Sequence, residues 1–232
     1  GANFVGAGTI LILTFLNVRG INYGRVIQAI FTSSKLIALA VLIVAGIVVG
    51  FYSGFFDENF QHMWDATSTK KQADGSWLTT DLTSVGLMIV LSTTIINSLF
   101  SSDAWNNVTF IAGDIRNPEK NLPRSLFLGT FIVTILYILA NVAYLGLLPL
   151  HGTPFEGDFV YTKEAVESTG IQFASSDRVG TSAAFMLFGH TANFLMAILI
   201  MISTFGCNNG LIMAGSRLFY AMSKDGLFFD KA

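Results

Sequence analysis

Long apolar runs broken by short polar interruptions set the rhythm of this chain. Residues 1–18, 36–56, 82–102, 125–155 and 179–216 contain no Asp, Glu, Lys or Arg. A helix needs roughly 20 apolar residues to cross the hydrocarbon core of a bilayer. The pattern therefore predicts five crossings, at about 2–17, 24–52, 84–112, 123–148 and 190–223. The runs are too long for transmembrane strands and do not alternate, which excludes a β-barrel. The intervals 53–83 and 149–189 read as polar loops, the second with helical character in YTKEAVES and SSDRVGTSAAFMLFG. The whole chain reads as one transmembrane unit of all-α class.

Composition sharpens this picture. Of the 232 residues 12 % are charged and 52 % hydrophobic, and the mean hydropathy is +0.60. Phe (21) and Gly (22) are abundant, as in helices packed closely in lipid. A net charge of -2 gives no electrostatic case for nucleic acid. Basic residues are asymmetric. Arg19, Arg25, Arg116, Lys120, Arg124, Arg217, Lys224 and Lys231 fall on one side of the predicted crossings; Lys70, Lys71, Lys163 and Arg178 fall on the other, among acids. The positive-inside rule makes the first side cytoplasmic and puts loops 53–83 and 149–189 outside. The single Cys207 allows no internal disulfide. No Gly-rich phosphate loop, nucleophile elbow or metal-binding histidine pattern is present, so neither cofactor, metal nor enzymatic chemistry is expected. The chain opens inside an apolar stretch and reads as an interior piece of a larger membrane protein.

Two charges remain inside the predicted crossings. A lone charge at the bilayer centre costs about 2.5–3.5 kcal/mol even on insertion scales. Lys35 lies ten residues beyond Arg25, about 15 Å along a helix; it either snorkels to the interface or faces a partner. Asp103 stands in FSSDAWNN, below Ser92, Thr93, Thr94, Asn97 and Ser98. Such residues compete for backbone hydrogen bonds. Either the helix stops near Phe100 and restarts near Asp103, or it presents an unbroken polar face. A break would leave bare peptide groups, tolerated in a membrane only beside protein or water and suited to bind a small polar solute. The segment STFGCNNG, 203–210, makes a small polar helix face for which close packing is the plain reading.

The stretch FSSDAWNNVTFIAGDIRNPEKNLPRSL resembles the sixth transmembrane segment and following loop of the amino acid–polyamine–organocation (APC) superfamily, more narrowly its L-amino acid transporter family. STFGCNNG with GSRLFYAMSKDGLF is similar to the eighth segment and its cytoplasmic end. The resemblance covers essentially the whole chain, least in loop 53–83. It implies segments four to eight of a twelve-segment carrier with a five-plus-five inverted-repeat fold, the remaining segments lying elsewhere in the same transporter.

The resemblance also implies roles. Phe100 matches the aromatic that closes over substrate. Ser101, Ser102 and Asp103 match the unwound stretch that receives the substrate amino group. Trp105 matches a structural or gating tryptophan. Lys35 matches a fifth-segment lysine standing where sodium-coupled relatives hold sodium, with Ser203 and Thr204 near it on segment eight. The chain departs from the family at Ser102 (often Tyr), Ala104 (often Gly) and Gly113 (often Glu), which leaves substrate identity open. The expected function is sodium-independent alternating-access transport of an L-amino acid across the cell membrane. Exchange, uniport and proton coupling stay open, as does a partner subunit. The alternatives are a polyamine or amine carrier of the same fold and a non-transporting sensor or scaffold subunit.

Overall fold

The computed structural model describes residues 2–19, 21–61, 64–72, 76–101, 103–155 and 157–229. The chain runs through α1 (Ala2–Val18), α2 (Ile21–Ser53), α3 (Phe55–Gln61), a hairpin of β1 (Thr67–Lys71) and β2 (Trp77–Asp81), and α4 (Ser84–Ser101). A 3-10 helix over Asp103–Asp114 follows, then α5 (Pro118–Leu147), α6 (Lys163–Thr169), a 3-10 turn at Ser175–Asp177, α7 (Val179–Phe188) and α8 (Thr191–Lys224).

The spans Tyr23–Ser53, Pro118–Leu147 and Thr191–Lys224 are long and apolar enough to cross a membrane; α1 and α4 contain shorter apolar helices. At 1.5 Å per residue α2 and α8 are each about 50 Å long, well beyond a 30 Å hydrocarbon core. Only 22 %, 11 % and 11 % of their apolar windows is buried within the chain. Surfaces this apolar and this bare require lipid or further helices rather than water.

Packing is closest where side chains are smallest. α2 lies along α5, and a methyl group at Gly50 would come within 2.8 Å of the Gly146 Cα, while one at Gly46 would come within 2.9 Å of the Ala143 Cβ. Without Cβ atoms at Gly46, Gly50 and Gly146 the two backbones meet in a dry seam, the usual substitute for hydrophobic drive between helices in lipid. Phe56 of α3 closes over its outer end. Asn59, only 4 % exposed, donates to the Leu145 and Leu148 carbonyls at 2.7 and 2.9 Å and accepts from the Leu150 N–H at 2.7 Å. It thereby caps the end of α5, where helical carbonyls lack intrahelical partners. Beyond the seam, Leu147, Leu148, Val166, Ala183, Ala184, Phe185 and Ala192 form a core that seats α6 and α7 against α5 and α8.

The polar interval 53–83 is more ordered than its composition suggests. It holds α3 and the antiparallel hairpin, paired Thr67↔Asp81 through Lys71↔Trp77. Thr and Trp suit strands, and the hairpin is tied to the second polar interval: the Gln172 amide donates to the Thr69 hydroxyl at 2.9 Å, and Trp77 packs edge-on against Phe173 at 5.2 Å between ring centroids. α5 starts at Pro118, five residues before the expected crossing at 123. The Asn117 backbone is left-handed (φ 50°), and Pro118 suits the first turn because the missing N–H has no partner there anyway.

Candidate functional site: the interruption after α4 and the Lys35 face

The third apolar run is not one α-helix. α4 ends at Ser101 and the 3-10 helix begins at Asp103; Ser102 between them lies outside the described residues. At 1.5 and 2.0 Å per residue the two pieces are about 27 and 24 Å long, so the change falls near the middle of the combined element. A 3-10 stretch of 12 residues is unusually long, since i to i+3 geometry is poorer and runs beyond about 4 residues are uncommon. Side-chain hydroxyls compete with the ladder upstream: Ser92, Thr94 and Ser98 each donate to the carbonyl four residues back, and Thr93 donates to the carbonyls of Ile89, four back, and Val90, three back. Such back-bonding bends and weakens helices. Thr109 donates to the Asn106 carbonyl at 2.7 Å within the 3-10 part.

Of the residues matched to substrate contact, the backbone of Phe100 and Ser101 closes α4 and that of Asp103 opens the 3-10 helix; their side chains, like all of Ser102, lie outside the described residues. Trp105 is 61 % exposed. The 3-10 helix packs on α8 and α5, whereas α4 has no extensive contact with another α-helix among the described residues. At its C-terminal end the Asp114 carboxylate pairs with the Arg217 guanidinium at 2.8 Å, tying the 3-10 helix to the last turns of α8.

Lys35 sits on the face of α2 that meets α8. Gln28, Phe31 and Lys35 recur at helical spacing on one stripe, opposite Gly206, Asn209 and Gly210. A methyl group at Gly206 would lie 3.1 Å from the Phe31 Cβ and 4.0 Å from the Lys35 Nζ. The bare Gly206 thus makes room for Phe31, with the Lys35 ammonium in ordinary contact distance beside it. Lys35 is half-buried, and no hydrogen bond or ion pair engages it among the described residues. Phe31 and Phe205 pack at 6.1 Å beside it. Ser203, half-buried, lies one turn before Gly206 on the same face; Thr204 is exposed and its hydroxyl donates to the Ile200 carbonyl at 2.8 Å.

A cavity of about 550 Å³ sits elsewhere, between the hairpin and the outer segments, lined by Glu58, Asp65, Trp77, His151 and Gln172 among others. It shares no lining residue with the interruption or the Lys35 face. No group of three or more His, Cys, Asp or Glu able to hold a metal occurs among the described residues. Three features escaped the sequence reading: the Asp114–Arg217 pair, the Asn59 cap, and the participation of Asn17 and Gln28 in a buried cluster with Asn209. Each depends on partners more than 85 residues apart in sequence, and only the polar residue types themselves hinted at them.

The interruption in an apolar run, a lysine inside a crossing and a small-residue helix seam fit a multi-pass membrane protein. The amino acid permease family model matches residues 2–231, and the chain belongs to that family. The b(0,+)-type amino acid transporter 1 of Mus musculus is 28 % identical over 222 residues, covering 96 % of this chain and 37 % of that protein. The human b(0,+)-type amino acid transporter 1 is 27 % identical over the same share. The human large neutral amino acids transporter small subunit 2 is 29 % identical over 226 residues, 97 % of this chain and 35 % of that protein. The chain thus spans little more than a third of the length of these curated relatives. The APC resemblance read from residues 100–126 and 203–228 agrees with the family match. This is a multi-pass membrane protein of all-α class.

Proposed function

We propose that this chain is the central part of a secondary transporter for L-amino acids, working by alternating access without sodium. The observation that carries the reading is the switch from α-helix to 3-10 helix between Ser101 and Asp103, midway along an apolar element. In lipid such a discontinuity is tolerable only where it lines a cavity, and there its unpaired carbonyls receive a substrate ammonium. Phe100, Ser101, Ser102 and Asp103 form the substrate-facing stretch, and Trp105 gates or braces it. The carboxylate of the substrate meets helix N–H groups contributed by another part of the transporter. The Lys35 ammonium stands against Gly206 of α8, with Ser203 one turn away, and supplies a fixed positive charge in place of a bound sodium ion. The basic loops face the cytoplasm, and the hairpin with α6 and α7 faces outside. The relatives' names, a b(0,+)-type and a large neutral amino acid transporter, favour amino acids over polyamines. No bond is made or broken in such a cycle.

The test is counter-flow of labelled neutral L-amino acids in proteoliposomes carrying the full-length transporter, in sodium-free and sodium-containing buffer. Saturable exchange, equal in both buffers and abolished or sharply reduced in Lys35→Ala at normal expression, supports the reading. Binding without exchange would instead make the protein a sensor, and exchange of polyamines but not amino acids would make it an amine carrier. Near-wild-type uptake in Lys35→Ala removes the role given to that lysine.

A further inference from the structure

Below the Lys35 layer, α2 and α8 meet through a buried amide. Asn209 is fully buried. Its Nδ2 donates to the Gly24 carbonyl and to the Gln28 Oε1, both at 3.1 Å, and its Oδ1 accepts from the Asn17 Nδ2 at 2.8 Å. Asn17 also donates to the Leu13 carbonyl at 2.8 Å, so one side chain of α8 is bonded to both α1 and α2. A methyl group at Gly24 would sit 2.2 Å from the Asn17 Oδ1, so the bare glycine leaves the Asn17 amide its place beside α2. That Oδ1 is itself buried and has no hydrogen-bond partner.

A plain packing residue does not need this arrangement. At a fully buried position facing α2, an apolar side chain of the same volume would fill the space with no polar group of its own to satisfy. A buried amide whose donors and acceptor are all engaged favours one register, because a one-turn slip leaves the buried Asn209 amide itself without these partners. Gln28 lies two helical turns from Lys35 on the same stripe of α2, about 10 Å away along the axis. Asn209 lies one turn from Gly206 on α8. The register set by Asn209 is therefore the register that presents the Lys35 ammonium to Gly206.

We infer that Asn209 is a positioning residue for transport: through Gln28 and Gly24 it fixes α2 against α8, and so places Lys35. This rests on the transport reading above. The experiment uses the full-length carrier in proteoliposomes and reads two quantities, the exchange rate per equilibrium substrate-binding site and the labelling of Lys35 by a membrane-permeant amine reagent, normalised to Lys163. In Asn209→Leu the rate per site falls at least about tenfold, the scale of loss when buried polar partners are left unpaired. Lys35 labelling rises at least about threefold as local opening becomes easier. A merely structural amide lowers the number of binding sites and leaves both quantities per site unchanged; that result overturns the inference. Where Asn209→Leu yields no folded carrier, Gln28→Leu removes one of the bonds and carries the same expectations, with the same overturning result. Failure of the wild-type carrier to exchange any amino acid sinks the transport reading instead, and is scored before either variant.

Discussion

The outer clamp on α5 gives an ordering that depends on hydrogen-bond direction alone. Asn59 donates twice, to the Leu145 and Leu148 carbonyls, and accepts once, from the Leu150 N–H. Asn59→Ala leaves two carbonyls and one N–H without partners at a site 4 % exposed. Each orphaned buried group costs about 1–3 kcal/mol, and water entering the small void returns part of it, so the net loss is about 3 kcal/mol. For a chain of this size 1 kcal/mol shifts the melting temperature by about 2–4 °C, which makes the expected fall about 6–12 °C. Asn59→Asp is worse at neutral pH although it is smaller in steric terms. The carboxylate keeps the acceptor for Leu150 but faces two carbonyl oxygens at donor distance, and an anion there has no compensating proton. The folded state then holds the introduced carboxyl above its ordinary value, because only the protonated form can donate. Since its folded pKa is raised, the folded form binds the proton more tightly, and the Asp penalty shrinks as pH falls through that value. The assay is thermal unfolding of the detergent-solubilised protein between pH 5 and 8. A drop of 1 °C or less for Asn59→Ala, or an Asp variant at pH 8 more stable than the Ala variant, refutes the assignment of donors and acceptors.

Three further outcomes follow from the same geometry. Gly206→Ala puts a methyl 3.1 Å from the Phe31 Cβ, tight enough to shift the α2–α8 contact that Lys35 shares; we expect exchange to fall by about tenfold with expression retained, a loss of about 1.4 kcal/mol in transition-state terms, read by counter-flow kinetics. Breaking the Asp114–Arg217 pair, one third or so exposed on each side, costs under about 1 kcal/mol of stability, so Asp114→Asn and Arg217→Gln should melt close to wild type; the exchanged pair Asp114→Arg with Arg217→Asp should recover whatever exchange the single variants lose. Gly50→Leu drives a side chain into the Gly146 backbone and the Phe56 ring, an overpacking cost of about 1–3 kcal/mol or more, and should reduce the monodisperse fraction on size-exclusion chromatography.

Much of this architecture could be read from the residue order. Charge-free runs locate the three membrane-length helices because lipid leaves no other way to satisfy a backbone. Ser101, Ser102 and Asp103 marked the place where α4 stops, since clustered Ser, Thr and Asn compete with the helical ladder. Other parts were illegible for equally physical reasons. The hairpin is made of TSTKK and WLTTD, which lack apolar alternation; its contacts are made across the fold, with Gln172 and Phe173 among them. Asn209 was read as one of several small polar residues on a packed face; its burial and its bonds to Gly24 and Gln28 arise from a pairing of α2 with α8 across 181 or more residues. Composition ranks residue types, but it does not say which of Asn208 and Asn209 turns inward.

The two attachments of α2 differ in kind, and that difference says where the helix can give way. Its C-terminal half meets α5 through Gly46, Gly50, Ala143 and Gly146, backbone against backbone. Separating that seam forfeits dispersion contacts that lipid chains refill only poorly between small residues. Its N-terminal half meets α8 through amide hydrogen bonds, each worth about 0.5–1.5 kcal/mol net and replaceable by water once that end is open. Lys35 lies between the two. If helices rock during the cycle, α2 and α5 move as one body and the joint opens at the Asn209 end. A cross-link between Gly46→Cys and Ala143→Cys, in a Cys207→Ser background, should therefore leave exchange within about twofold of the reduced protein, because it ties together parts that do not separate. Loss of exchange on oxidation, restored by reductant, would put the moving joint in the glycine seam and reverse this assignment.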